Sequence, residues 1–344
     1  VLPGLIPVRV SKGVVVTSAA PTINVLDPQF YVDPWAAYRW LRDEENGAEA
    51  LPGMRAYILD DPRPARWRAH DPGYWVAVEK VGAPATRAFA IDAAGRLAEG
   101  AGTGIGDVIL HSPLDTGTAS GEWFTLMPDA EMAGDQRTDD AGSLTFDTAP
   151  LAEEAVFLGQ PELELWLASS AETANLVARL LDLHPDGTAT RVSLGMLNLA
   201  HRDGNADPSP VTPGERVRAR ITLDACGYRF APGHRLRLAL STAYWPTILP
   251  PPIDAALTIE TASLRLAMPL LGAHTRPPMP EPANPDPLPA YVTLEPGESR
   301  RSVERDLETG ATTYRVMEDG GLIEHPGNGL RAGEIRDEAW TITA

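Results

Sequence analysis

The chain has 344 residues, with 47 Asp and Glu residues against 29 Lys and Arg residues and a formal net charge of −18. This length suits two domains or one large β domain with extensions. The acidic surface argues against nucleic acid as a partner because it would repel phosphate groups. Cys226 is the single cysteine, which excludes an internal disulfide and a cysteine-based zinc site. No apolar run approaches the roughly 20 residues that span a bilayer, so we expect a soluble, globular protein with no membrane partner.

The first 50 residues contain the one convincing helical pattern. In "DPWAAYRWLRDEEN", Asp33 can cap a helix, Pro34 suits its first position, and Asn46-Gly47 ends it. We expect residues 1–50 to hold remnant strands and a linker helix from a preceding domain. Because the start lacks both an initiator Met and a signal-peptide pattern, we interpret it as the cut end of a longer, cytoplasmic protein.

From residue 51 onward the pattern is typical of short strands. Residues 51–100 predict a small β segment that enters a sandwich, and residues 101–272 predict the sandwich itself. Polar and apolar residues alternate strictly in "ELELWLAS", "RVRARITL" and "HRLRLALS", as expected for strands with one buried face. About nine such strands without intervening helices predict a mainly β fold, an antiparallel β-sandwich of the jelly-roll, galactose-binding-like type.

The last 72 positions change character again. "HTRPPMPEPANPDPLP", within residues 273–290, is dense in proline and predicts an extended linker. Residues 291–344 predict a β-hairpin extension around Glu308-Thr309-Gly310, which stops at "WTITA" within another strand and is apparently cut short.

No catalytic constellation is visible in the sequence. A serine nucleophile elbow needs G-x-S-x-G, and the nearest segments, "TGTASGEW" and "TRVSLGML", do not satisfy it. The histidines are scattered singly, without a zinc-binding pair, and we interpret each as structural. They are His70, His111, His184, His201, His234, His274 and His325. We therefore predict no catalytic residue, no metal and no cofactor in this chain.

The segment "GDQRTDD" places acids around one glutamine and one arginine. Asp135, Asp139 and Asp140 could bind a metal, but their spacing lacks the D-x-D-x-D-G order of a compact calcium loop. Arg137 could instead bind these carboxylates bidentately and, with Gln136, hold the loop in place. We favour this loop-locking role over metal binding.

The order of these segments resembles that in the C-terminal domain of the X-prolyl dipeptidyl-peptidase and cocaine-esterase family of α/β serine hydrolases. The resemblance rests on the motif "D-Q-R…D-D…L-x-F-x-[ST]-x-P-L", followed by "P-D-G…P-G…R-[FV]-x-x-G-H-R-L-R-L". The resemblance covers roughly residues 51–272, and residues 291–318 resemble the extension of some bacterial members. In that family the Ser, Asp and His of the triad lie on an N-terminal α/β-hydrolase domain, and none of them matches a position here.

The resemblance implies a non-catalytic domain that packs on an α/β-hydrolase catalytic domain, from the same gene or a separate chain, and shapes its pocket. The type would be an X-Pro dipeptidyl-peptidase or an acyl-esterase. Trp123 and Phe124 would form the substrate-pocket wall, although plain sandwich core is an equal alternative for both. A homo-oligomer is left open.

Two other classes of function compete with this one. A stand-alone carbohydrate- or ligand-binding module would need a solvent-facing aromatic platform. Tyr244 and Trp245, with Trp123, are the residues that could form it, although such a pair more often plugs the end of a sandwich. A purely structural interaction protein predicts only a large apolar patch.

Overall fold

The computed structural model describes residues 53–79, 84–123, 131–277 and 291–343. The strands and helix expected in residues 1–50, most of the expected linker, and Phe124 lie outside these ranges. Among the described residues, no helix has the length and apolar character needed to cross a membrane.

Strands dominate the described residues, and their bounds follow in chain order. They are β1 (Met54–Asp60), β2 (Gly73–Val78), β3 (Thr86–Ile91), β4 (Leu97–Glu99), β5 (Asp107–Leu110), β6 (Leu144–Asp147), β7 (Ala155–Gly159), β8 (Glu162–Ser169), β9 (Asn175–Leu183), β10 (Ala189–Asn198), β11 (Arg216–Thr222), β12 (Cys226–Phe230), β13 (Arg235–Ser241), β14 (Leu257–Pro269), β15 (Val292–Glu295), β16 (Glu298–Arg305), β17 (Thr312–His325) and β18 (Leu330–Ile342). Two short helical turns accompany them, α1 (Arg137–Asp140) and a 3-10 turn at Leu199–His201.

The strands form four sheets. Sheet I has the order β2-β1-β12-β7, sheet II the order β10-β9-β13-β6, and sheet III the order β11-β8-β14-β3-β4 with β5 also paired to β14. Sheet IV has the order β15-β17-β16, with β18 paired to β17. Among the described ladders, β1–β12 is parallel and the others are antiparallel. The strands of residues 51–100 are thus integral to sheets I and III.

One hydrophobic core lies between sheet III and the pair formed by sheets I and II. On β8, Leu163, Leu165 and Leu167 alternate with more exposed residues, as the sequence pattern predicts. They join one buried cluster that also contains Leu238 of β13 in sheet II and Phe230 of β12 in sheet I. Burying one such side chain contributes about 1.5–3 kcal/mol relative to leaving it exposed. The predicted mainly β sandwich is confirmed, and its jelly-roll subtype stays a prediction.

Sheet IV contains the predicted C-terminal hairpin. β16 and β17 pair antiparallel from Arg305↔Thr312 outward. Gly310 closes the turn at φ 74°, a left-handed conformation that glycine adopts without a Cβ clash. β18, which carries most of "WTITA", pairs along the other side of β17.

Candidate functional site

Gln136 is a fully buried side chain at the centre of the "GDQRTDD" segment. Its Nε2 donates to the carbonyl oxygens of Ala119 at 2.9 Å and Gly134 at 3.0 Å. Its Oε1 accepts from Arg179 Nη1 at 3.1 Å. One amide therefore joins the two arms of a surface loop, residues 117–121 and 131–136, to strand β9. We call the described residues 117–123 and 131–137 together the Trp123 loop.

Asp139 binds the backbone of the first arm of the same loop. It is buried in α1, and its Oδ1 accepts the backbone N–H groups of Gly117 at 3.0 Å and Ala119 at 3.3 Å. Burial raises the pKa of the Asp139 carboxyl, because removing a carboxylate from water disfavours its charged form. These bonds fix the backbone just before Trp123.

Asp140 is held by arginines of the sandwich rather than by Arg137. Its carboxylate lies 3.0 Å from Arg179 Nη2 and 2.8 Å from Arg237 Nη1. Arg137 is exposed and forms its ion pair with Asp135, at 2.6 Å from Nη2 to Oδ2. The structure thus brings Asp135 to Arg137, as the sequence analysis expects. Asp139 instead accepts backbone N–H groups of the loop, and Asp140 pairs with arginines of strands β9 and β13, which are distant in sequence.

Trp123 lies on the surface at the end of the first arm of the loop, with 68% of its area exposed. The two arms are joined next to it, where Glu122 N donates to Glu131 O at 2.8 Å. A small cleft of about 50 Å³ lies between Trp123 and residues that include Arg191 and Asp224. Trp123 is therefore available for contact and is not sandwich core. Phe124 lies outside the described residues.

Tyr244 and Trp245 do not form a solvent-facing platform, because both are buried, at 0% and 4% exposure. The Tyr244 hydroxyl accepts from Arg191 Nη1 at 3.0 Å, and its ring packs against Met196 and Leu194 of β10. Trp245 packs against residues of sheet IV. Tyr244 thus covers the outer face of sheet II, since Val177 lies on the opposite face of β9 from Leu176 and Ala178 of the main core. The possible aromatic platform loses two of its three rings.

Sheet IV contacts the same loop through charged groups. Glu131 is buried, accepts from the Tyr314 hydroxyl at 3.0 Å, and lies 3.3 Å from Arg301 Nε and 3.0 Å from Arg66 Nε. Arg301 also forms an ion pair with Glu122. The second arm of the Trp123 loop is therefore held between the sandwich and sheet IV.

A larger cleft, of about 470 Å³, lies away from this loop. It is lined by β3, β4 and residues 148–154, with Arg87, Arg96, Asp92 and Glu153 among the charged groups. These charges are mixed in sign and surround an open groove, so we place the candidate site at the anchored loop rather than at this cleft.

A second polar cluster was missed by sequence reasoning. Asp61, Asp182, His184 and His234 each bring a ligand-type atom within 4.8 Å of the others. The sequence analysis treated His184 and His234 as unrelated structural residues. They meet because Leu183 of β9 pairs with Arg235 of β13, which makes the two histidines cross-strand neighbours at the next position. Only the register between β9 and β13 brings the two histidines together, and the spacing of histidines along the sequence does not reveal that register.

The strands and their sheets place the described residues in the class of mainly β sandwich domains. The chain belongs to the family of X-Pro dipeptidyl-peptidase C-terminal non-catalytic domains, whose model matches residues 46–277, well over half of the chain. This confirms the resemblance noted in the sequence.

Related proteins match parts of the chain. The cocaine esterase of Rhodococcus sp. (strain MB1 Bresler) is 27% identical over 147 residues, which cover 42% of this chain and 26% of that protein. Among solved structures, an alpha-amino acid ester hydrolase aligns with 21% identity and a TM-score of 0.48, over 58% of this chain and 39% of its own. A CocE/NonD family hydrolase from Staphylococcus aureus aligns with 12% identity and a TM-score of 0.48, over 71% and 47%. The chain thus spans about a quarter of the length of the esterase.

Proposed function

We propose that this chain is the non-catalytic C-terminal domain of a serine hydrolase of the X-Pro dipeptidyl-peptidase or acyl-esterase type. In this proposal it packs on an α/β-hydrolase catalytic domain, and the Trp123 loop forms part of the wall of the active-site pocket. Membership in the family supports the association with a catalytic domain. The exposed Trp123 on an anchored loop supports the proposed location of the contact with the catalytic domain.

The observation that carries the proposal is an exposed indole on an anchored loop. Trp123 is 68% exposed, yet the backbone that leads to it is fixed by the buried Gln136 and Asp139. A large aromatic group held in place loses little conformational freedom when it binds, so more of the contact energy appears as affinity. Such remote contacts orient a substrate and affect the rate constant as well as the Michaelis constant.

The test begins with the gene on both sides of the region that encodes this chain. A G-x-S-x-G segment there would identify the catalytic domain, which is then produced together with this chain. We expect Trp123→Ala to lower kcat/KM for substrates with bulky acyl or P1 groups by about 10-fold or more, because one aromatic contact is worth about 1–3 kcal/mol. The measurement is kcat/KM on p-nitrophenyl esters and X-Pro anilides of graded size.

Trp166→Ala is the matched control. Trp166 is also exposed, but it lies on β8, on the outward face of sheet III. Its removal should leave kcat/KM unchanged, and the chain without its partner should show no turnover. Equal activity of both tryptophan variants on every substrate would remove the Trp123 loop from the pocket. Failure of the chain and the catalytic domain to associate would remove the proposed function as a whole.

A further inference from the structure

The cluster of Asp61, Asp182, His184 and His234 lies where three chain segments meet at one end of the sandwich. Asp61 follows β1 and adopts φ 55°, an uncommon conformation for a residue other than glycine. His184 follows β9 at the start of a tight turn, and His234 directly precedes β13. Asp182 lies within β9. The turns thus present side chains from separate strands to one point.

His184 has a buried nitrogen without a hydrogen-bond partner near this point. Its Nε2 lies 2.8 Å from Thr190 Oγ1, and that hydroxyl donates its own hydrogen to Pro62 O at 2.9 Å. Nε2 must therefore be the donor, so in the neutral imidazole the lone pair is on Nδ1. Nδ1 is buried and has no hydrogen-bond partner.

Asp61 faces that lone pair with a carboxylate oxygen. Its Oδ1 lies 3.2 Å from His184 Nδ1 and is itself buried without a hydrogen-bond partner. Two acceptors at this separation repel each other unless a proton or a metal ion lies between them. Orphaned polar atoms of this kind are rare in folded proteins because each costs the desolvation of the group.

His234 is oriented toward the same point by its other nitrogen. Its Nδ1 lies 2.9 Å and 3.0 Å from the two oxygens of Asp182, which also accepts from the Tyr228 hydroxyl at 2.9 Å. Nε2 then faces Asp61 Oδ1 at 3.9 Å. A carboxylate that holds the rear nitrogen of a histidine is the usual support of a metal ligand, since it fixes the ring and raises the basicity of the front nitrogen.

We propose that Asp61, His184 Nδ1 and His234 Nε2 bind one divalent transition-metal ion of the zinc type, with Asp182 and Thr190 as positioning residues. Two imidazoles and one carboxylate suit zinc better than calcium or magnesium, which prefer all-oxygen ligands. Metal–ligand distances of about 2.0–2.2 Å in a tetrahedral site place ligand atoms roughly 3.3–3.6 Å apart. The separations of 3.2 and 3.9 Å fit this with a small adjustment.

The surroundings complete the site. Asp61 is 44% exposed, so the ion has a path from solvent and water can occupy the fourth position. The divalent charge would offset the two carboxylates of the cluster. Because the three ligands come from the ends of β1, β9 and β13, the metal would cross-link sheets I and II and stabilise the folded chain.

The test uses the full chain, freed of metal with a chelator, and Zn²⁺ as the probe. We expect calorimetry to show one Zn²⁺ bound per chain and thermal unfolding to shift to higher temperature. Co²⁺ should give the visible absorption of a tetrahedral N/O site. Asp61→Asn keeps the shape of an exposed side chain and should weaken Zn²⁺ binding by about 100-fold or more, since even outer partners of a ligand are worth 10–100-fold.

Asp186→Asn is the control for a nearby acid outside the cluster. Asp186 is exposed in the β9–β10 turn and pairs with Arg63, so this variant should bind Zn²⁺ as the wild type does. A wild-type chain that binds neither Zn²⁺ nor Co²⁺ would overturn the proposal in favour of a purely hydrogen-bonded cluster. Unchanged binding by Asp61→Asn, equal loss in both variants, or a response to Ca²⁺ alone would overturn it as well.

Discussion

Arg179 and Arg137 lie beside the same acidic segment, but they contribute differently to stability because Arg179 is buried and Arg137 is exposed. Arg179 is fully buried and contacts Gln136, Ser143 and Asp140. Arg137 is exposed and contacts Asp135. An exposed ion pair contributes little because water and salt screen it. Removing one member of a buried ion pair leaves the charge of the remaining member uncompensated.

We expect the same substitution to act differently at these two positions. Arg179→Met should lower the free energy of unfolding by about 1.5–3 kcal/mol, because it removes charged hydrogen bonds to Gln136 and Asp140 while Arg237 still pairs with Asp140. Arg137→Met should change it by less than about 1 kcal/mol. Urea unfolding followed by tryptophan fluorescence measures both. If the two variants lose equal stability, the exposed arginine locks the loop, as the sequence analysis expects.

At the scale of elements, the outward face of sheet III carries charged pairs between β11 and β8. Arg218 Nη2 lies 2.5 Å from Glu164 Oε2, and Arg220 Nη2 lies 2.7 Å from Glu162 Oε2. These pairs follow from the register, in which Arg220 is opposite Glu164 and each arginine reaches one step diagonally. Opposite charges across strands support the pairing without contributing to the core.

The pair of Arg218 and Glu164 should contribute modestly and depend on salt. A double-mutant cycle with Arg218→Ala and Glu164→Ala should give a coupling free energy of about 0.2–1 kcal/mol at low ionic strength. High salt should reduce it, because both side chains are exposed and screened. Chemical denaturation at two salt concentrations measures the coupling. A coupling free energy above about 2 kcal/mol that does not change with salt concentration would contradict the interpretation of these pairs as exposed and screened.

At the scale of the whole molecule, sheet IV packs against Trp245, in the segment that follows β13. Trp245 meets the Tyr314 ring edge-on at 6.3 Å between centroids, and Val316 and Ile342 complete the contact. An aromatic pair of this kind adds about 0.5–1.5 kcal/mol beyond its buried area. The family match ends at residue 277, before sheet IV begins, which indicates that the sandwich is the unit shared with the family.

A chain that ends at residue 277 should therefore keep the sandwich but uncover Trp245. We expect a far-UV circular dichroism spectrum that is still dominated by strands, a lower Tm, and increased quenching of tryptophan fluorescence by acrylamide. Trp245→Phe in the shortened chain isolates the signal of this residue from the other tryptophans. Unchanged quenching would show that sheet IV does not shield Trp245. Loss of the strand spectrum would show that the sandwich needs sheet IV to fold.

Much of the fold was predictable from the sequence because alternation is a local property. "ELELWLAS" shows which face of β8 is buried. For "HRLRLALS" the expected single buried face is wrong over the second half of β13, where Ala239 and Ser241 on the other face are buried as well. The hairpin at Gly310 was predictable because the turn residues Glu308-Thr309-Gly310 are also a local signal. The pairing of β1 with β12 was not, since about 170 residues separate the pair Leu59↔Tyr228 and no local pattern specifies such a partner.

The sequence by itself determined the class of fold, the family, and the presence of an acidic segment beside one arginine. Only the tertiary structure decided that Arg179, rather than Arg137, holds Asp140, that Tyr244 and Trp245 are buried, and that His184 and His234 meet. The physical reason is the same in each case. Burial and side-chain contacts depend on strand register and on how the layers stack, which bring together residues that are far apart along the chain.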